Sequence, residues 1–419
     1  MLKQRIKTAK GSIKRNSGLI ANFGYLSILQ VYSTLVPLIT YPYLVKVLGT
    51  EVYGLVIFAQ TVAIILSNIV DYGFDISGVK QVAENKQNKD KLSEIVSSIY
   101  IIKFILWLLT FVIIIGMITL IPKFSSEPLL YIFSFAILFN NLLFPQWLFQ
   151  GLEKMRYITI INIISRTIFL ILIFIFVKTV DDYVFVPLLT GVGAFIGGII
   201  SVYFVIKNER IRLRIQPMKV LLHYFKEGSS MFGFRMAGVI KTQSNQIILG
   251  FLANYSLVTY YDLAMKITSV FSIVFNNYSA VFFPNIAKTK NITLGKKALK
   301  LSALLSTGIF LLIAILLNPI IQWWNPEFLP TVRLFWIVGF FIPVYAIASF
   351  LGNSFLVAHG FQVQHLYSTA WTTLVYLASI YIMFVTNSIT IYSLAFVILG
   401  SQLLSTIHKF YYCKKYNLL

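Results

Sequence analysis

The stretch VSSIYIIKFILWLLTFVIIIGMITLI, residues 96–121, decides the fold class of this chain. It contains one charged side chain, Lys103, and no proline. A helix needs about 20 predominantly apolar residues to cross about 30 Å of hydrocarbon, and this run is long enough. A transmembrane β-strand would be shorter and would alternate apolar with polar residues. The stretch is therefore predicted to be a transmembrane helix.

The same pattern recurs along all 419 residues. Hydrophobic residues make up 58% of the chain and charged residues 12%, whereas soluble domains have roughly 45–50% and about 25%. We predict an all-α integral membrane protein of about twelve transmembrane helices. This composition excludes a soluble enzyme, a disordered chain and a disulfide scaffold. The predicted spans are 18–41, 52–73, 96–121, 128–147, 157–177, 184–206, 229–252, 256–281, 298–318, 332–355, 366–386 and 389–412.

The basic residues predict the orientation of these spans. Of the 35 Lys and Arg residues, 26 lie in alternate connecting segments together with both termini, and only 4 lie in the opposite loops. Because cytoplasmic loops carry the excess of positive charge, both termini are predicted to be cytoplasmic. The net charge of +21 then follows membrane topology, and no nucleic acid is expected as a partner.

A basic, partly apolar segment at 207–228 divides the spans into two sets of six. We predict an N-terminal six-helix half at 1–206 and a C-terminal six-helix half at 229–419, arranged around a central cavity. The segment between them is predicted to be a cytoplasmic linker with an interfacial helix, because apolar and basic residues are interleaved. Its apolar positions are Leu213, Ile215, Val220, Leu221 and Phe225.

Five basic residues fall inside the predicted spans. An intramembrane charge costs at least about 2.5–3.5 kcal/mol on insertion scales, so such residues usually serve a function. Asp262 lies four positions before one of them, and the two are predicted to pair on one helix face. Snorkelling of the long side chains to the interface is the alternative explanation. The five candidates for binding an anionic substrate in a water-filled cavity are Lys103, Arg166, Arg235, Lys241 and Lys266. Polar neighbours expected to support the cavity are Gln243, Asn245, Gln246, Asn276 and Asn277.

Three segments resemble the polysaccharide and O-antigen flippases of the multidrug/oligosaccharidyl-lipid/polysaccharide exporter superfamily. They are PYLVKVLGTEVYG at 42–54, DYGFDISG at 71–78 and PQWLFQGLEKM at 145–155. The resemblance covers the whole chain in length and in span number. It implies structural roles for Gly49, Gly54, Asp71, Gln146, Trp147, Gln150 and Gly151. The chain departs from the family pattern at Asn245, where the family often has an acidic residue, and at Thr259, where it often has Gly.

The resemblance implies a multi-pass protein of the bacterial cytoplasmic (inner) membrane. Its substrate would be a polyprenyl-pyrophosphate-linked oligosaccharide of O-antigen, lipopolysaccharide or capsule synthesis, moved from the inner to the outer leaflet by alternating access. No bond would be made or broken, so we expect no enzyme activity, no cofactor, no metal and no catalytic residue. The expected partners are the lipid bilayer and other polysaccharide-assembly membrane proteins.

Two other functions remain open from the residues. A cation-coupled multidrug antiporter of the same superfamily would share the fold, but it should carry several carboxylates in its spans, where only Asp262 clearly lies. That residue is also the candidate for ion coupling. A membrane glycan polymerase or ligase should have a large outer loop, and the predicted spans leave no such loop between them.

Overall fold

The computed structural model describes the backbone of residues 2–419 and the side chains of residue 22 and residues 24–419, apart from 230 and 234. Every regular element in this part of the chain is helical, and no strand occurs in it. The predicted all-α class is therefore confirmed. The chain forms two compact units, Met1–Met236 and Ala237–Leu419. The segment 207–228 belongs to the first unit.

The first unit begins with a very long helix. Helix α1 continues past Gly49, whose φ of 75° and ψ of 169° interrupt the helical geometry. Glycine adopts positive φ readily because it has no Cβ, and the predicted spans 18–41 and 52–73 lie on either side. The α-helices here are α1 Leu2–Asp71, α2 Phe74–Glu84, α3 Lys89–Leu120, α4 Pro122–Ser125, α5 Pro128–Phe135, α6 Phe139–Leu143, α7 Gln146–Gly151, α8 Met155–Phe176, α9 Phe185–Tyr203 and α10 Met218–Leu252.

The second unit continues from α10. Two of its helices, those beginning at Ile292 and Ile391, are preceded by side chains that accept hydrogen bonds from free backbone N–H groups. Asn291 accepts from Leu294 N at 2.9 Å, and Thr390 accepts from Ser393 N at 3.1 Å. The remaining α-helices are α11 Tyr255–Thr289, α12 Ile292–Trp324, α13 Leu329–Val338, α14 Phe341–Ser349, α15 Gln362–Val385 and α16 Ile391–Lys415, with a π-helix at Phe350–Leu356.

The outer faces of the helices suit a lipid environment. On α3, Ile105, Leu109 and Val112 are 55%, 49% and 66% exposed, whereas Ile99 and Ile102 are buried on the other side. Soluble proteins rarely expose large continuous patches of apolar side chains. Ten helical stretches within the described residues are long and apolar enough to cross a membrane. The chain is therefore a multi-pass membrane protein.

The ten stretches and the twelve predicted spans differ for identifiable reasons. Gly24–Glu84 is a single stretch that contains the second predicted span and most of the first. Helix α10, which contains the predicted span 229–252, is not among the ten. The number twelve and the cytoplasmic position of the termini therefore stay predictions.

The charge asymmetry makes a topology prediction that reporter fusions check. Fusions after residues 90, 154, 215, 292 and 419 should report the cytoplasm. Fusions after residues 49, 124, 181 and 325 should report the opposite side, because cytoplasmic loops retain the positive charge. Paired alkaline phosphatase and fluorescent protein fusions at each position provide the measurement and its internal control. A mixed or reversed pattern would contradict the predicted span count.

The segment before α10 follows a defined path. Residues 210–217 are not helical, and the backbone N–H groups of Arg212 and Arg214 donate to Ser93 Oγ at 3.1 Å and Ser97 Oγ at 3.0 Å on α3. Helix begins only at Met218. Tyr224 Oη then donates to Glu94 Oε1 at 2.9 Å. Burial, followed by this hydrogen bond, raises the pKa of Tyr224 to about 12, so the hydroxyl keeps its proton. These contacts hold the start of α10 against α3.

Candidate functional site

Asp71, the last residue of α1, accepts hydrogen bonds on both carboxylate oxygens. Lys103 Nζ donates to Oδ1 at 2.9 Å, and Asn141 Nδ2 donates to Oδ2 at 2.7 Å. Lys103 Nζ also donates to the backbone oxygen of Asn141 at 2.9 Å. The Lys103 side chain is 3% exposed and that of Asp71 is 16% exposed. This is a largely buried ion pair with additional hydrogen bonds.

Arg235 of α10 reaches the same place. Its Nη1 pairs closely with Asp75 Oδ2, its Nη2 lies 3.9 Å from Asp71 Oδ2, and its Nε donates to Asn68 Oδ1 at 3.1 Å. We call Asp71, Asp75, Lys103 and Arg235 the charged cluster. Its two cations and two carboxylates sum to a formal charge of zero.

Lys103 and Arg235, two of the five basic residues within the predicted spans, therefore both have carboxylate partners, which the sequence did not predict. Asp71 lies near the end of the predicted span 52–73, whereas Lys103 lies about seven residues inside the predicted span 96–121. The depths of two residues in different helices do not show whether their side chains meet, because that depends on how the helices tilt and pack. Their role in binding substrate stays a prediction.

Two glycines let α10 approach the end of α1. Gly73 has a φ of 78°, and a Cβ there would lie 2.8 Å from Phe232 N and 2.9 Å from Gly228 O. A Cβ at Gly228 would in turn lie 2.9 Å from Tyr72 O. Only residues without a side chain permit this approach, and it brings Arg235 to the carboxylates.

Two of the recognised motifs pack against each other. A Cβ at Gly78 in α2 would lie 3.0 Å from Trp147 Cε3. A Cβ at Gly151, at the end of α7, would lie 2.6 Å from Val82 Cγ1. The segments DYGFDISG and PQWLFQGLEKM therefore form one contact, which the sequence did not predict. In the third motif, Gly49 interrupts α1 and Gly54 is buried.

A cavity of about 160 Å³ lies beside the charged cluster. We call it the motif cavity, because residues of both packed motifs line it. Asp75 Oδ1 is buried and has no hydrogen-bond partner among the described residues. The lining residues are Asp71, Asp75, Lys103, Asn140, Asn141, Phe144, Gln146, Trp147, Gln150 and Arg235.

Arg166 of α8 is the remaining predicted cation of the first unit. It is half-buried, and its Nη1 donates to Ser33 O at 3.2 Å. No carboxylate lies within ion-pair distance of it among the residues whose side chains are described. Its positive charge is therefore not balanced within this part of the chain.

In the second unit, the predicted pair of Asp262 and Lys266 is confirmed. Lys266 Nζ donates to Asp262 Oδ2 at 2.5 Å, with the two side chains 41% and 9% exposed. Gln246 Nε2 donates to Asp262 Oδ1 at 2.9 Å. One end of this pair is buried and hydrogen-bonded, and the other end reaches the surface of the unit.

Asn245 lies at the centre of a buried polar network. Its Nδ2 donates to Tyr261 Oη at 2.7 Å, and Tyr376 Oη donates to its Oδ1 at 2.5 Å. Ser244 Oγ and Tyr376 Oη are 2.6 Å apart. Asn245 is fully buried. The sequence predicts that it supports a water-filled cavity, but the structure engages its amide with protein groups.

Two lysines of the second unit have no carboxylate within ion-pair distance among the described side chains. Lys241 on α10 is half-buried, and Lys409 on α16 is 6% exposed. The two lie close enough for their charges to repel. The sequence missed Lys409, because its place at the inner end of the last span is typical of a topology signal. A buried, unpaired lysine is costly, so Lys241 remains a candidate and Lys409 is added. No group of three or more His, Cys, Asp or Glu residues in the described chain could hold a metal ion.

The sequence is similar to proteins of surface-polysaccharide synthesis. The family described as "Polysaccharide biosynthesis protein" matches residues 19–290. A candidate O-antigen transporter of Escherichia coli (strain K12) is 30% identical over 318 residues, which are 74% of this chain and 75% of that protein. A candidate O-antigen transporter of Shigella dysenteriae is 31% identical over 63% of this chain and 66% of its own length.

Solved structures of two transporters share the fold. The lipid II flippase MurJ, in an inward closed conformation, gives a TM-score of 0.75 at 14% identity, covering 94% of this chain and 87% of MurJ. An inward-facing multidrug resistance transporter of the MATE family gives 0.65 at 13% identity, covering 91% and 98%. At such identities the likeness establishes the fold, which agrees with the predicted superfamily.

Proposed function

This chain belongs to the polysaccharide biosynthesis protein family, and from that premise we propose that it is a flippase for lipid-linked oligosaccharides. It moves polyprenyl-pyrophosphate-linked repeat units from the inner to the outer leaflet of the bacterial cytoplasmic membrane by alternating access. The observation that carries the proposal is the 30% identity to a candidate O-antigen transporter over three quarters of that protein. The MurJ-like fold supports it.

The unbalanced cations support an anionic substrate. Arg166, Lys241 and Lys409 have no carboxylate within ion-pair distance among the described side chains, and each is at least half-buried. A pyrophosphate supplies the missing negative charge and accepts several charge-assisted hydrogen bonds. We propose each of these three residues as a candidate contact for an anionic substrate. Lys103, Arg235 and Lys266 are less available, because each already pairs with a carboxylate.

A multidrug antiporter is the second candidate, because MATE transporters share the fold. Such a protein must offer uncompensated carboxylates to cationic drugs and protons. Here Asp71, Asp75 and Asp262 all pair with a lysine or an arginine. The arrangement therefore favours an anionic glycolipid over a cationic drug.

The remaining parts of the proposal follow from this substrate. Transfer between leaflets makes and breaks no bond, so the protein needs no catalytic group. Other membrane proteins of polysaccharide assembly would supply the glycolipid and take it away, which makes them the expected partners. Capsule or lipopolysaccharide is the expected final product.

Removing an unbalanced cation should slow transport strongly. A hydrogen bond to a charged group contributes about 1.5–3 kcal/mol, so we expect Arg166→Ala and Lys241→Ala to lower the transport rate about tenfold or more. Arg166→Lys should recover only part of it, because the ammonium lacks the planar guanidinium fork. The measurement is the appearance of lipid-linked oligosaccharide in the outer leaflet of proteoliposomes.

Matched controls separate this effect from a general loss of positive charge. Arg156 and Lys300 are exposed, so Arg156→Ala and Lys300→Ala should transport at the wild-type rate. Normal transport by Arg166→Ala and Lys241→Ala at normal abundance would reject a role for these two cations in binding the substrate. Failure of the wild-type protein to move any lipid-linked oligosaccharide would reject the flippase itself.

A further inference from the structure

The motif cavity is polar but electrically balanced. Two cations and two carboxylates of the charged cluster line it. A phosphate entering the cavity would meet the carboxylates of Asp71 and Asp75, and a cation would meet Lys103 and Arg235. Neither sign of charge is favoured, so the cavity suits a neutral ligand with many hydrogen-bonding groups.

One acceptor in the cavity wall is left without a donor. Both oxygens of Asp71 are already engaged, by Lys103 and Asn141. Asp75 Oδ2 is engaged by Arg235, but Asp75 Oδ1 is buried and has no partner among the described residues. Buried acceptors are nearly always hydrogen-bonded. A ligand group that donates a hydrogen bond, such as a hydroxyl, would therefore satisfy this acceptor.

The rest of the wall matches a sugar ring. Asn140, Gln146 and Gln150 present primary amides, each of which donates and accepts and so suits the adjacent hydroxyls of a pyranose. Phe144 and Trp147 provide apolar surface for the C–H groups of the ring. Ligand sites usually combine such apolar walls with a few placed polar groups.

The dimensions agree with one sugar residue. The volume of about 160 Å³ is similar to that of an engineered cavity of about 150 Å³ that binds benzene, so a ligand with a single six-membered ring fits. Gln146 is exposed, so the cavity reaches the outside of the first unit and can be entered.

We propose that the motif cavity is a binding subsite for one neutral sugar residue of the glycan, with Asp75, Gln146 and Gln150 as its polar contacts. The inference rests on the proposed function, because it assumes a glycan headgroup. It assigns the sugar, and not the pyrophosphate, to this part of the first unit. It also gives the two packed motifs a shared function, since both contribute residues that line the motif cavity.

Thiol protection tests the subsite. Cys413 is the only cysteine and is fully buried, so Gln150→Cys adds a single accessible thiol. Its reaction with a maleimide is followed in the purified full chain with three probes. These are lipid-linked oligosaccharide extracted from the host membranes, the free oligosaccharide released from it by mild acid, and undecaprenyl pyrophosphate. The intact glycolipid and the free oligosaccharide should slow labelling about tenfold at saturation, and undecaprenyl pyrophosphate should not.

The controls make each outcome decisive. Gln87 is exposed in the connection between α2 and α3, so Gln87→Cys should label equally with every probe. Should Gln150→Cys fail to fold, Gln146→Cys at the cavity entrance gives the same measurement. Equal protection by undecaprenyl pyrophosphate would overturn the sugar assignment. Copurification of the glycolipid without thiol protection would overturn the subsite and leave the flippase standing, whereas no glycolipid binding at all would overturn both.

Discussion

The Lys103→Met variant should be strongly destabilised and should give little folded protein in the membrane. Its side chain is 3% exposed, and its ammonium group donates hydrogen bonds to Asp71 and to a backbone oxygen. Removing one partner of a buried ion pair costs about 3–5 kcal/mol, because the other charge stays buried and less compensated. The double variant Lys103→Met with Asp71→Asn should recover most of this loss, since neither charge then remains. Thermal unfolding of the purified protein in detergent gives the measurement.

A surface pair provides the matched control for this substitution. Lys80 and Glu84 are 3.9 Å apart with side chains 76% and 60% exposed, and exposed pairs contribute about 0–1 kcal/mol. Lys80→Met should therefore unfold at almost the wild-type temperature. A Lys103→Met protein as stable as the wild type would show that the buried pair contributes no stability.

The fold could be predicted largely from the sequence, because long apolar runs have few alternatives in a bilayer. Each of the twelve predicted spans coincides for most of its length with helical structure. The pair Asp262–Lys266 was predictable for a similar reason, since four positions along a helix bring two side chains to one face. The predicted spans and the predicted pair both follow from the spacing of residues along a single helix.

The charged cluster could not be predicted, because its members come from separate helices. Asp71, Lys103 and Arg235 meet only after α1, α3 and α10 have packed, and that packing depends on Gly73 and Gly228. The burial of Lys409 could not be predicted either. A lysine near the end of a span more often reflects the excess of positive charge on the cytoplasmic side of the membrane. Sequence patterns report the environment of one helix, whereas a site depends on several.

Removing Lys266 should reduce transport and stability together. In Lys266→Met the buried carboxylate of Asp262 keeps only the hydrogen bond from Gln246 in place of its ion pair. Because Lys266 is 41% exposed, we expect a loss of about 1–3 kcal/mol. The double variant with Asp262→Asn should restore wild-type transport, as a purely structural pair requires. Uptake into vesicles with and without a proton gradient gives the measurement.

The same series tests whether Asp262 couples transport to protons. A substrate phosphate that competed for Lys266 would leave Asp262 unpaired, and an unpaired carboxylate in a low-dielectric site gains proton affinity. In that case the double variant would be stable but would no longer respond to the gradient. Loss of the gradient dependence with normal abundance would therefore replace the structural explanation by proton coupling through Asp262.

The contact between residues 71–78 and 145–155 restricts how relatives of this protein diverge. A methyl group at position 78 needs space that the Trp147 ring occupies, and one at position 151 needs space that Val82 occupies. A side chain at either glycine is therefore tolerated only with a compensating change in the residue that it faces. A chimaera that combines one segment from each of two distant relatives should fold poorly, even if each segment folds well in its own protein. For recombination between such genes, the two segments form one inherited unit.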